Sequence, residues 1–77
     1  MSYGYSLRLV QLNREADASN LGVQLGRLCI EHGIPVTEIA KRCDVSRVTV
    51  YNWFCGVTAP QRYNAVTVQK IIDVLTM

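Results

Sequence analysis

The feature that most constrains this chain lies at residues 35–54. Two short apolar stripes of helical period stand there, with almost nothing between them. Val36, Ile39, Ala40 and Cys43 recur at three- and four-residue spacing. Val50 and Trp53 do the same, with Phe54 or Val57 continuing inward. The stretch between the stripes is Cys43-Asp44-Val45-Ser46. Asp44 sits where the chain must take a left-handed or turn conformation, which Asp tolerates better than most residues. Ser46 is a strong cap for a new helix. Helices this short are not stable alone, so they must cross and bury their stripes. Ala40 is small where the later helix crosses. Val45 plugs the space between the two, and Val50 packs down on the earlier one. The core of the unit is therefore predicted to be Ile39, Ala40, Cys43, Val45, Val50 and Trp53.

The flanking segments read as helices of the same domain. From Asn20 to His32, Leu21, Leu25, Leu28 and Cys29 form a stripe, capped by Ser19 or Asn20. Gly33 stops that helix, and Pro35 suits the first turn of the next. Gly22 and Gly26 each weaken a helix by about 1 kcal/mol relative to Ala. Their four-residue spacing lets another backbone approach, which predicts close helix packing inside the domain. Gly56 ends the helix that carries Trp53. A last helix starts between Pro60 and Ala65 and runs to Leu75, with Val68, Ile71, Ile72 and Leu75 inward. Residues 1–19 are ambiguous. Tyr3, Tyr5, Leu7 and Leu9 alternate with small or polar residues, as in a strand. Ser6 alternatively caps a helix from Leu7 to about Arg14, with Leu9, Leu12 and Ala16 on one face, and the helix is favoured. The fold class is all-α: one compact domain of four to five helices, with 1–19 as an arm or short helix.

At 77 residues the chain builds one core and is too short for most enzyme folds. No apolar run is long enough to span a bilayer, and the first residues lack a signal-peptide pattern, so a cytoplasmic protein is expected. Three cysteines, Cys29, Cys43 and Cys55, make an odd count without a CxxC pair. A reducing compartment is the simpler inference. Cys29, His32 and Cys43 give three possible zinc ligands, but closely paired spacings are missing and no metal is expected. No cofactor motif is present. One His and no nucleophile–base set give no support for catalysis. Glu31, Glu38 and Asp73 read as solubilising charges. The net charge of +2 permits nucleic-acid binding without announcing it.

The run IPVTEIAKRCDVSRVTVYNW, residues 34–53, resembles the phage Cro and lambda-repressor-like helix-turn-helix superfamily. Its core, IAKRCDVSRVTVYNW, is similar to that family's pattern of an apolar residue, Ala, a Gly-Val-Ser turn, Thr-Val and Trp. Gly56 and Pro60 fit the family's exit, and the resemblance covers about residues 20–75. The departure is Asp44, where the family usually has Gly. The resemblance implies a helix-turn-helix DNA-binding domain over 20–77 whose helix 46–54 enters the major groove. On that helix Arg47, Val48 and Asn52 are the expected base contacts: Arg47 on guanine, Val48 on a thymine methyl, Asn52 on adenine. Thr37, Ser46, Thr49, Tyr51, Lys41, Arg42 and Arg62 are the expected backbone contacts.

A small transcriptional regulator of phage or mobile-element type is thus implied. It would be a homodimer on a palindromic double-stranded operator, since one module discriminates too few base pairs. The dimer would use Ile72, Leu75 and Met77, or Tyr3, Tyr5 and Leu7. Arg8 and Arg14 read as a solvated face or as an arm reaching the minor groove, and the solvated face is favoured. The other reading is an interaction module on the same fold, binding a host or regulatory protein through Phe54, Val57 and Tyr63, or an antitoxin-like regulator.

Overall fold

The computed structural model describes residues 5–77, and five helices make up the fold among them. Helix α1 spans Leu7–Glu15, and the Ser6 hydroxyl accepts from the Leu9 N–H at its start. The first segment is therefore helical, as favoured, and Tyr5 just before it is buried. Its inner face is not the expected one. Leu9 points inward, but Leu12 is 40% exposed and Asn13 is buried in its place. Asn13 escapes the usual burial penalty because its side-chain amide has two carbonyl partners.

Helix α2 spans Leu21–His32. Of the two candidate caps it uses Asn20, whose side chain accepts from the Gly22 N–H. Ser19 instead donates to the Asp17 carboxylate through both N–H and hydroxyl, which holds that carboxyl below its ordinary value. Gly33 closes the helix at φ 72°, and the Gly33 and Ile34 N–H groups both reach the Cys29 carbonyl. Helix α3 spans Val36–Cys43. Pro35 is extended at φ −73°, ψ 151° and precedes the helix instead of forming its first turn. Helix α4 spans Arg47–Phe54, and α5 spans Tyr63–Leu75.

Helix α2 is the hub. It packs on α1, α4 and α5, and α3 packs on α4 and α5. Val23, Leu25, Cys29, Ile39, Val50, Phe54 and Val68 lie at the centre, all at or below 1% exposure. The two glycines of α2 are what let α4 come this close. A Cβ on Gly22 would stand 2.9 Å from the Trp53 carbonyl oxygen and 3.0 Å from its Cα. One on Gly26 would stand 2.6 Å from the Asn13 amide nitrogen and 2.9 Å from the Phe54 ring. The paired glycines thus serve packing within the domain. In α5, Val68 and Ile72 are buried and Ile71 and Leu75 pack against them, as the stripe required.

Three expectations fail on burial. Phe54 is completely buried against α2 and the Tyr5 ring, so it cannot line a docking patch, whereas Val57 and Tyr63 are exposed. Ile72 faces the domain's own core, so it is not free to join a second subunit. Tyr5 is likewise turned inward, its hydroxyl donating to the Ile34 carbonyl and its ring 6.2 Å from that of Phe54. Tyr3 falls outside the described residues.

Candidate nucleic-acid interface

The turn between α3 and α4 is built as the residue types demand. Asp44 adopts φ 54°, ψ 49°, and its N–H reaches back to the Ala40 and Lys41 carbonyls. The Val45 N–H also bonds the Ala40 carbonyl, at 3.1 Å. Ser46 then caps α4 by accepting from the Thr49 N–H at 3.2 Å. Ile39, Ala40, Cys43, Val50 and Trp53 are buried, and Val45 is half-buried against them. All six predicted core residues therefore hold the two helices together.

With Val50, Trp53 and Phe54 turned inward, the remaining surface of α4 is set by helical period. Arg47 is exposed, Val48 is 67% exposed and Tyr51 is 43% exposed. Asn52 is half-buried, and its backbone carbonyl receives the Val57 N–H at the helix exit. Arg47, Val48, Tyr51 and Asn52 thus share one outward face. Ser46 and Thr49 lie at its edge with their hydroxyls 3.0 Å apart. Ser46 is occupied as the cap but still has capacity for one more bond.

The other expected backbone contacts divide. Thr37 and Lys41, one turn apart, lie exposed on one flank of α3. Arg42 occupies the opposite flank. It pairs with Glu38 at 3.4 Å and lines a groove of about 500 Å³ between α3 and α5 with Lys70, Ile71 and Val74. Arg62 is exposed at the start of α5 with a left-handed φ of 53°. The structure thus gathers Arg47, Val48, Tyr51 and Asn52 with Ser46 and Thr49, and sets Arg42 apart from them.

Charge follows the same division. Between residues 35 and 62 stand Lys41, Arg42, Arg47 and Arg62 against Glu38 and Asp44. Elsewhere Arg8, Arg14, Arg27 and Lys70 are balanced by Glu15, Asp17, Glu31 and Asp73. The whole net charge of +2 therefore belongs to the segment that contains α3 and α4. Burial pushes the Cys29 thiol up to about 12 and raises Cys43 and Cys55 as well. These are packing thiols, poor nucleophiles and poor ligands at neutral pH. Among the described residues no group of three His, Cys, Asp or Glu side chains is placed to hold a metal ion. No helix among them is long and apolar enough to cross a membrane.

Two residues that position the site were not singled out from sequence. Asn13 donates to the Phe54 carbonyl at 2.7 Å and to the Val23 carbonyl at 3.2 Å, fastening the end of α4 to α1 and α2. Arg27 donates to the carbonyls of Asn13, Arg14 and Ala16 at the end of α1. Neither has a sequence signature, because the acceptors are backbone atoms remote in the chain.

Residues 24–60 match the family model of the homeodomain-like domain. The match runs from within α2 through α3 and α4 to Pro60. It supports a helix-turn-helix superfamily, and with it an all-α fold, but does not single out the Cro and lambda-repressor-like type. No curated protein and no solved structure matched the chain.

Proposed function

We propose that this protein is a sequence-specific double-stranded DNA-binding regulator of transcription that reads the major groove with α4. The observation that carries the reading is the outward face of α4. It combines a guanidinium that makes no ion pair among the described residues, an exposed Val48 and a carboxamide within two turns of a capped helix, behind a helix-turn-helix turn. Arg47 at the first turn donates to guanine O6 and N7, Val48 packs on a thymine methyl, and Asn52 pairs with adenine. Ser46, Thr49, Tyr51, Thr37 and Lys41 hold phosphates on either side. Arg62 sits further along the same chain segment. No catalytic step, metal or cofactor belongs to this reading. A small regulator of phage or mobile-element origin, working in the cytoplasm, fits it.

The same reading calls for two copies on a two-fold operator. With Ile72 and Tyr5 committed to the core, the second copy must meet another surface. The outer face of α5 carries Tyr63, Val66 and Val74, with Met77 just past its end, each more than half exposed. Met77, named from sequence, remains available beside this face. The same strip is also what an interaction module would use, so it keeps a protein partner as the second reading.

The test is selection of bound sequences from a random duplex pool at about physiological salt, where non-specific binding is weak. Enrichment of a palindrome containing a G and an A at the spacing of Arg47 and Asn52 is expected. Arg47→Ala should then cost about 1–3 kcal/mol and relax one base position. No enrichment, or an Arg47→Ala variant with unchanged affinity and preference, overturns the assignment. In the first case weight moves to a protein partner on α5.

A further inference from the structure

Beside the outward face of α4 lies a shallow groove of about 410 Å³, lined by Tyr5, Ser6, Arg8, Leu9, Leu12 and Tyr51. We propose that this groove seats the sugar–phosphate backbone of DNA next to the footprint of α4, with Arg8 as its phosphate contact. The inference rests on the DNA-binding reading and extends that surface onto α1.

Continuity is the first support. Tyr51 belongs both to the outward face of α4 and to the wall of the groove, so a duplex against one borders the other. Charge is the second. Among the described residues Arg8 is the only charged side chain lining the groove, and no carboxylate lines it. Among the described residues Arg8 makes no ion pair, whereas Arg42 is held by Glu38. Hydrogen-bonding capacity is the third. Ser6 accepts from the Leu9 N–H, which leaves its own O–H to donate. The Tyr51 hydroxyl has no partner among the described residues. A guanidinium and two hydroxyls around a partly apolar floor suit an anionic oxygen with a deoxyribose beside it.

The groove is also preorganised. Tyr5 is pinned at both ends, its hydroxyl on the Ile34 carbonyl and its ring against Phe54, and Ser6 fixes the first turn of α1. The start of α1 therefore needs no ordering when a ligand arrives, which lowers the cost of binding.

The experiment is a salt series of fluorescence anisotropy on the full chain. The probes are the duplex recovered by selection and a scrambled duplex of equal length. Arg8→Ala should weaken both about equally, by roughly tenfold. It should also reduce the slope of log K against log salt by about 1. Arg8→Lys should restore the slope. The melting temperature of Arg8→Ala should stay at the wild-type value, since Arg8 is exposed. If Arg8→Ala binds both duplexes as the wild type does, the groove proposal falls and the α4 reading stands. If Arg8→Ala changes base preference, the phosphate role is overturned in favour of base readout. If the wild type enriches no sequence and binds the scrambled duplex at no salt concentration, both proposals fall together.

Discussion

The α3–α4 unit and the α1–α2 unit are fastened by different chemistry. Between α3 and α4 the contact is apolar: Ala40 lets the helices cross, Val45 fills the gap, and Val50 and Trp53 press inward. Between α1 and the rest, the decisive contacts are single polar side chains on backbone carbonyls. Asn13 holds Val23 and Phe54, and Arg27 holds three carbonyls at the end of α1. Apolar interlock is distributed, so losing one methyl costs a share of it. A polar bridge is concentrated, so losing one donor strands every acceptor it served. Helix α4 depends on both kinds, because its inner side is packed while its last carbonyl is tied by Asn13.

The sharpest way to break the comparison is at Gly26, where the two chemistries meet. A Cβ there would stand 2.6 Å from the Asn13 amide nitrogen and 2.9 Å from the Phe54 ring. The amide cannot retreat without releasing its carbonyls, and Phe54 is enclosed on all sides. Gly26→Val should therefore destabilise by about 3 kcal/mol or more. That is a large share of the stability expected of a domain this small. Urea unfolding monitored by Trp53 fluorescence measures it. A loss below about 1 kcal/mol would mean that the bridge yields easily and the contrast is false.

Asn13→Ala tests the polar fastening alone. It removes both hydrogen bonds and leaves the Phe54 carbonyl short of its donor. The expected cost is about 1–3 kcal/mol in the same unfolding assay. A leucine should not repair it, although Leu is apolar and close in volume, because the carbonyls would remain unpaired. If Asn13→Leu proves as stable as wild type, the position is an ordinary core site and the bridge is incidental.

Legibility in the sequence follows the same contrast. The helix-turn-helix was readable because period, cap and turn each leave a local mark. Val36, Ile39, Ala40 and Cys43 mark a face, Ser46 marks a start, and Asp44 marks the left-handed residue. The outward set on α4 then follows by subtraction. The inner face of α1 was misread because an apolar Leu12 competes with a polar Asn13, and only the distant carbonyl of Phe54 explains the choice. Arg27 was passed over for the same reason. Phe54 and Ile72 fit both an inward and a surface role from sequence, because an apolar residue at the edge of a stripe looks alike whether it faces a core or a partner. The flank of α3 that holds Arg42 depends on where α5 lies, and period alone does not place α5.

The smallest expected effect concerns how α2 and α3 end. Helix α2 closes on Gly33 at φ 72°, where the absence of a Cβ makes the left-handed turn free of strain. Helix α3 closes on Asp44 at φ 54° with the same kind of backward N–H bonding, but with a Cβ present. The left-handed conformation costs roughly 1 kcal/mol or a little more for a residue with a Cβ, and Asp lowers that only in part. Its carboxylate makes no hydrogen bond among the described residues, so nothing local offsets the strain. Asp44→Gly should therefore stabilise the domain by up to about 1 kcal/mol, even after the greater freedom of Gly in the unfolded chain. Differential scanning calorimetry should show a rise of several degrees in a domain of this size. The substitution also removes one of the two carboxylates from the basic segment, next to the cap of α4. Duplex affinity should rise with it, more at low salt than at high salt. Stability and affinity gains together would mean that the α3–α4 turn is strained yet already in its binding geometry. A gain in stability with a loss of affinity would mean instead that the Asp44 carboxylate takes part in binding, and α4 would no longer be the sole reader.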